Sequence, residues 1–124
     1  MGDAVRDLPA ERFDLVAALW TINQAENHSR LDAMTAGFAR SADELLLVTT
    51  NVDADWTLLG ARSRRYGVQM RRDGAPVIEG RTTYVCTIVH GGAEFSFQTA
   101  SWDWDTLTGS LRLAGYRTVG RISP

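Results

Sequence analysis

The stretch Gly2-Asp3-Ala4-Val5-Arg6-Asp7-Leu8-Pro9-Ala10-Glu11-Arg12-Phe13-Asp14-Leu15-Val16 decides how the fold is read. An acidic turn is followed, after a short polar link, by an aspartate that opens an apolar run from Leu15 to Trp20. This is how a loop at the end of one parallel strand leads into the next buried strand of an α/β sheet. Such a unit normally stands in the middle of an open sheet, and here it begins at residue 2. The expectation is a single partial domain over residues 1–124, or a chain that folds with something supplying the rest.

Downstream, Phe13 to Trp20 is expected to be a strand buried on both faces. Asn23 to Ser29 is polar, with Asn27 as a candidate N-cap. Ser29 to Arg40 carries Leu31, Met34, Ala36 and Phe38 at roughly helical spacing, weakened by Gly37. Ser41-Ala42-Asp43 breaks the pattern, and Glu44 to Thr50 reads as a second buried strand ended by Asn51. Strand, helix and strand in that order predict a parallel pair joined by a right-handed crossover.

The pattern then changes. Asp55 to Arg65 reads as a short helix. Tyr66 to Arg72, Val77-Ile78, Thr82 to Val89 and Phe95 to Thr99 are β-prone runs separated by Asp73-Gly74, Glu79-Gly80 and Gly91-Gly92. Those dipeptides are turn signals, so the stretch predicts an antiparallel meander or lid. Trp104 to Ala114 is amphipathic through Leu107, Leu111 and Ala114, with Asp103 or Asp105 as cap and Gly115 as the terminating glycine. Tyr116 to Ile122 alternates in the manner of a last strand.

The chain has 124 residues, 44% hydrophobic and 23% charged, with mean hydropathy −0.17. That is an ordinary globular composition with room for one modest core. A net charge of −2 gives no pull towards nucleic acid or anionic lipid. All thirteen basic residues are arginine, so any cationic contact to a substrate must come from Arg. The one cysteine, Cys86, cannot form an internal disulfide and suits a reducing, cytoplasmic setting. Leu15 to Trp20 is far too short to span a bilayer, and no signal peptide is seen.

A self-contained active site is not legible. The sequence holds neither a GxGxxG nor a P-loop, and no His or carboxylate pair at metal-ligand spacing. No triad signature is recognisable. Asp103 and Asp105 read more simply as helix caps than as an acid/base pair. His28 reads as solvated or capping, and His90 as a turn residue. Among the tryptophans, Trp20 is expected at the carboxyl end of a parallel strand, where open α/β sheets place their ligand crevice. Trp102 is expected in a loop before a helix, and loops of that kind often cover a site. For both, pocket and core remain open alternatives.

Taken in order, these segments resemble class I S-adenosylmethionine-dependent methyltransferases. Gly2-Asp3-Ala4 through Leu8-Pro9 is similar to the family's segment after its third strand. Phe13-Asp14-Leu15-Val16 resembles the start of its fourth, and Leu45 to Thr50 its fifth. Leu113-Ala114-Gly115-Tyr116 resembles the end of a later helix. Arg65-Tyr66-Gly67-Val68, Phe95-Ser96-Phe97 and Trp102-Asp103-Trp104-Asp105-Thr106 look like the small-molecule branch that includes the toxoflavin-pathway N-methyltransferases.

The resemblance implies a partial Rossmann-like methyltransferase sheet, of parallel strands with a crossover helix. A short antiparallel meander and a C-terminal helix–strand unit would complete it. It implies S-adenosylmethionine as cofactor, transferring its methyl by in-line displacement at the sulfonium, with proximity and orientation as the protein's main contribution. Asp3 and Ala4 would face the adenine, Leu19, Trp20 and Thr21 the methionine end, and Asn23, Tyr66 and Trp102 a small-molecule acceptor.

The family's glycine-rich loop and the acidic residue ending its second strand have no counterpart, and those parts hold the cofactor's tail and ribose. Its final antiparallel strand is absent too, and Ala100 and Ser101 stand where relatives carry tyrosines. Cofactor binding is therefore expected only with a complementing protein chain; a homo-oligomer that pairs the bare edges, and use of the meander strands as cover, are the other ways to a stable product. The alternatives are a non-catalytic accessory or dimerisation subunit derived from the same fold, and a shortened reading frame with no function of its own.

Overall fold

A computed structural model describes residues 11–50, 52 and 56–122. Its elements, in chain order, are β1 (Phe13–Leu19), a 3₁₀ turn (Ile22–Gln24), α1 (His28–Ser41), β2 (Ala42–Val48), α2 (Trp56–Arg64), β3 (Val68–Arg72), β4 (Arg81–His90), β5 (Ala93–Trp102) and α3 (Trp104–Leu113). They fall into two compact units, one holding β1, α1, β2 and α3, the other Thr50–Asp103.

In the first unit β1 and β2 pair in parallel, from Phe13 opposite Ala42 to Leu19 opposite Val48. The Asn27 side chain accepts a hydrogen bond from the Arg30 amide (2.8 Å), so the expected N-cap forms; such a cap is worth about 1 kcal/mol. Leu31, Met34, Thr35 and Phe38 fall on one buried helical stripe. Gly37 is buried with them. Thr35 Oγ1 meets Ser110 Oγ at 2.8 Å, tying α1 to α3 through a buried hydroxyl pair.

The second strand starts two residues earlier than the sequence indicates. The helix runs to Ser41 and Ala42 is already extended, its amide still donating to Phe38. Arg12 explains the abrupt change. Its guanidinium donates to the Ala39 and Arg40 carbonyls at the helix end (3.4 and 3.0 Å) and bonds the Asp43 carboxylate, fixing the strand's start beside Phe13.

Helix α3 ends as expected at Gly115, with φ +112. The Gly115 amide bonds Arg112 O and the Tyr116 amide bonds Leu111 O, the paired bonds of a Schellman motif. Two expectations fail here. The strand Tyr116–Ile122 does not form: its residues run irregularly, Ile122 is 98% exposed, and among the described residues no strand pairs with it. Alternation alone cannot make a strand without an edge to join. Within this stretch Arg121 lies over α3, its guanidinium 5.7 Å from the Trp104 ring centre.

Burial on both faces of β1 and β2 is also corrected. Ala18 is buried and Val16, Leu45 and Leu47 are half-buried, whereas Leu15, Leu19 and Leu46 are 51, 60 and 52% exposed. One face is packed and the other is bare.

The second unit is an antiparallel meander in the order β3-β4-β5. His90 pairs with Ala93 across Gly91-Gly92, both at positive φ, which is the two-residue hairpin turn the glycines signal. Glu79-Gly80 makes a similar turn, also at positive φ, between Ile78 and Arg81. Val77-Ile78 therefore contributes one isolated bridge rather than a strand, because the turn reverses the chain immediately after it. Gly67, at φ +73, lies where a Cβ would come within 2.8 Å of the Val89 carbonyl. Its own carbonyl accepts from the Val89 amide at 2.8 Å, so this close approach seats the α2–β3 turn on β4.

Candidate functional site

The carboxyl end of β1 is where a parallel sheet presents a ligand crevice, because the loops leaving the strands diverge there. Leu19, the last residue of β1, is largely exposed, and Trp20 beyond it is 51% exposed. Trp20 takes φ +53, a left-handed conformation that costs a non-glycine residue roughly 1–3 kcal/mol. Its amide bonds the Val48 carbonyl at 2.7 Å, so the bend is held while β2 still runs alongside. Thr21 then opens the 3₁₀ turn, its carbonyl accepting from the Gln24 amide at 3.1 Å.

Asn23 faces inward. It is 2% exposed, and its Oδ1 accepts from Thr49 Oγ1 at 2.9 Å, joining the loop after β1 to the segment after β2. Its carbonyl oxygen spans the two strand ends and sets the shape of the bend. Leu19, Trp20 and Thr21 are thus brought together as a surface, with Asn23 beneath them.

The other sequence-selected residues are elsewhere. Asp3 and Ala4 lie outside the described residues. Tyr66 is 84% exposed in the turn after α2, its amide bonded to Ser63 O at 3.0 Å. Trp102 is not in a loop: it is the last residue of β5 and 1% exposed, with the Arg81 guanidinium 5.8 Å from its ring centre. The indole is held in the interior because β5 continues straight to the α3 boundary. Tyr66 adjoins the Val89 end of β4, while Trp102 pairs with Arg81 at the other end. At ~3.3 Å per residue those ends are roughly 25 Å apart. The structure does not bring Tyr66 and Trp102 together.

One polar cluster was not legible beforehand. Asp73 Oδ2 accepts from Thr83 Oγ1 (2.6 Å) and Gln98 Nε2 (2.7 Å), and Oδ1 accepts from the Ala75 amide (3.0 Å). The Thr83 bond first, then those from Ala75 and Gln98, hold this carboxyl below its ordinary value. The Asp73-Gly74 dipeptide signals the turn, but only the strand register reveals that Thr83 and Gln98 reach it. Burial raises the pKa of Tyr84, opposed by hydrogen bonds with Thr50 and Thr99. Burial likewise raises that of the Cys86 thiol, keeping it protonated and inert. Among the described residues no group of three or more His, Cys, Asp or Glu could hold a metal ion. No described helix is long and apolar enough to cross a membrane.

S-Adenosylmethionine fits these residues in part. The Leu19–Thr21 bend offers an apolar and aromatic wall to its methionine and sulfonium end. Among the described residues, however, no glycine-rich cradle for its tail stands beside that wall.

Neither a protein-family model nor a curated protein matches the chain. Among solved structures it is similar to an S-adenosylmethionine-dependent methyltransferase from Clostridium acetobutylicum ATCC 824, with a TM-score of 0.55 at 11% identity. The match covers 91% of this chain and 51% of that one, so this chain spans about half the length of its structural neighbour. The likeness shows the fold: a mixed α/β arrangement with a parallel pair, an antiparallel three-stranded sheet and a C-terminal helix, built as in part of that methyltransferase.

Proposed function

We infer that the chain is the C-terminal portion of a small-molecule S-adenosylmethionine-dependent methyltransferase, one that acts only when a complementing chain supplies the cofactor's other wall. The observation that carries this reading is the bend at Leu19–Thr21. A strained, half-exposed Trp20 sits at the carboxyl end of a parallel strand, in a chain built like half of a methyltransferase. Backbone strain clusters at ligand sites, and the carboxyl end of a parallel strand is where such a site lies.

On this reading Leu19, Trp20 and Thr21 line the methionine end of the cofactor, and Asp3 and Ala4 its adenine. When bound, the cofactor supplies the electrophilic methyl; the chain orients it and shields it from water. The acceptor is a small molecule, in keeping with the sequence's resemblance to the toxoflavin-type N-methyltransferases. Calorimetric titration of S-adenosylmethionine into the purified chain tests this: no micromolar binding is expected from the chain alone, and micromolar binding would refute it.

A second reading, a non-catalytic accessory subunit, draws on a different observation, the bare apolar face of β1 and β2. Under it, a mixture with the complementing chain would assemble, yet Trp20→Ala would leave cofactor affinity unchanged. Under the first reading, that substitution weakens cofactor binding in the mixture about tenfold or more.

A further inference from the structure

Among the described strands, β3 and β5 each leave one edge of the meander unpaired, and the two edges differ. Strand β3 is short and ends in Arg71 and Arg72, and α2 flanks it, with the Ser63 hydroxyl donating to Met70 Sδ at 3.3 Å. Charge and a covering helix are the usual guards against edge pairing. Strand β5 has neither lysine, arginine nor proline, and its register with β4 runs unbroken by a bulge. Glu94 is its one charge. Ala93–Gln98 is exposed apart from the half-buried Phe97, and Thr99–Trp102 is buried.

The ladder shows which backbone groups of β5 point outward. The Val89 amide bonds Gly67 O, and the Asp103 amide bonds Gly80 O. Bonding alternates along an antiparallel strand, so the odd-numbered residues of β5 turn their amides and carbonyls towards β4. Those of Glu94, Ser96 and Gln98 face away from it.

We propose that this edge pairs with the same edge of a second copy, antiparallel across a twofold axis at Ser96. Ser96 then meets its twin, and Glu94 of each copy meets Gln98 of the other, every pair exchanging two backbone bonds. Phe95 stands opposite the other copy's Phe97, at a position where side chains approach most closely. Within one copy those rings are already 5.8 Å apart, and exposed Ile88 lies opposite Phe95. Pairing therefore gathers the phenylalanines and isoleucines of both copies into one cluster. On the other face, the Thr87–Ser96 hydroxyl pair meets its counterpart.

Other centres fit worse. An axis at Glu94 opposes two carboxylates. Axes at Phe97 or Gln98 carry the second strand onto Ala100 and Ser101, both buried. An axis at Phe95 sets Gln98 opposite the turn glycine Gly92, outside the partner strand. Only the Ser96 centre uses the whole exposed stretch. The pairing lies within the meander and holds whether or not β1 and β2 bind a cofactor. Two strand edges bury less than a permanent interface does, so the dimer should be reversible, in the micromolar range.

Sedimentation equilibrium of the full chain tests this. A single copy is expected in dilute solution, and a dimer as concentration rises through the micromolar range. Ser96→Pro deletes an outward amide while sparing the bonds to β4, a placement that edge strands tolerate, and should weaken the dimer about tenfold or more. Gln98→Lys sets an ammonium opposite Glu94 and should tighten it about twofold or more at low salt. Under mild oxidation, Ser96→Cys should link two copies through position 96, where opposed Cα atoms are about 5.5 Å apart. Glu94→Cys should not. A chain that stays single throughout, a dimer indifferent to both Ser96→Pro and Gln98→Lys, or a link at position 94 without one at 96 would overturn the proposal.

Discussion

The parallel pair β1–β2 and the antiparallel meander β3–β5 treat their exposed surfaces in opposite ways. The meander joins β4 to β5 by a two-residue turn and can face water through Thr87, whose hydroxyl pairs with that of Ser96 at 2.8 Å, and through the Asp73–Thr83–Gln98 cluster. The parallel pair has no such polar face: where one side is packed, the other is leucine. Antiparallel sheets can work with one wet side, whereas parallel sheets are built to be covered. The meander exposes apolar side chains as well, Phe95 at 65% among them, but an antiparallel sheet can keep one such side wet, so the stronger need for cover lies in β1–β2.

The largest expected effect lies in the meander. Trp102→Ala removes a fully buried indole and should cost about 3–5 kcal/mol in urea denaturation. A loss below about 1 kcal/mol would mean that burial of this indole contributes little to stability. Gly67→Ala comes next. A left-handed alanine costs roughly 1–2 kcal/mol, and the added Cβ also meets the Val89 carbonyl. A lowered thermal midpoint should therefore accompany faster hydrogen exchange at Val89.

In the other unit, Thr35→Val strands the Ser110 hydroxyl in the interior, for a loss of about 1–2 kcal/mol. Leu19→Ala and Leu46→Ala sharpen the comparison from the opposite side, since both side chains are already wet. Each should change the stability of the isolated chain by no more than about 0.5 kcal/mol. A large loss in either would show that the face is already covered.

The smallest effect is pH-dependent. Asp73 has a folded pKa below its ordinary 3.8, so its bonds stabilise the chain above that value, and the contribution is lost as pH falls through the lower folded value. Asp73→Asn should lower the thermal midpoint at neutral pH. The gap to the unaltered chain should close as pH falls through the lowered folded value; a constant gap would mean that the carboxylate's charge is not what its partners hold.

Sequence signals were sufficient where one residue decides one local event. Asn27 caps α1, Gly115 ends α3 and Gly91-Gly92 makes the hairpin, each through backbone geometry that a short window contains. They failed where the outcome depends on a distant neighbour. Tyr116–Ile122 has the alternation of a strand but finds no edge among the described strands. The apolar run of β1 reads as doubly buried, yet burial is decided by what lies against it. The site was legible in the same measure. Leu19–Thr21 were placed correctly at a strand's carboxyl end, while the inward turn of Asn23 depends on Thr49 and the interior position of Trp102 on the length of β5.

Hydrogen–deuterium exchange on the purified chain, confirmed as a single copy by its mass, tests the contrast between the two sheets most directly. Amides of Leu15–Leu19 in β1 should exchange well before those of Tyr84–Ile88 in β4, because the bare pair opens without unfolding the meander. Equal, strong protection of both strands in a single copy would show that β1 needs no covering partner, and the account would fail.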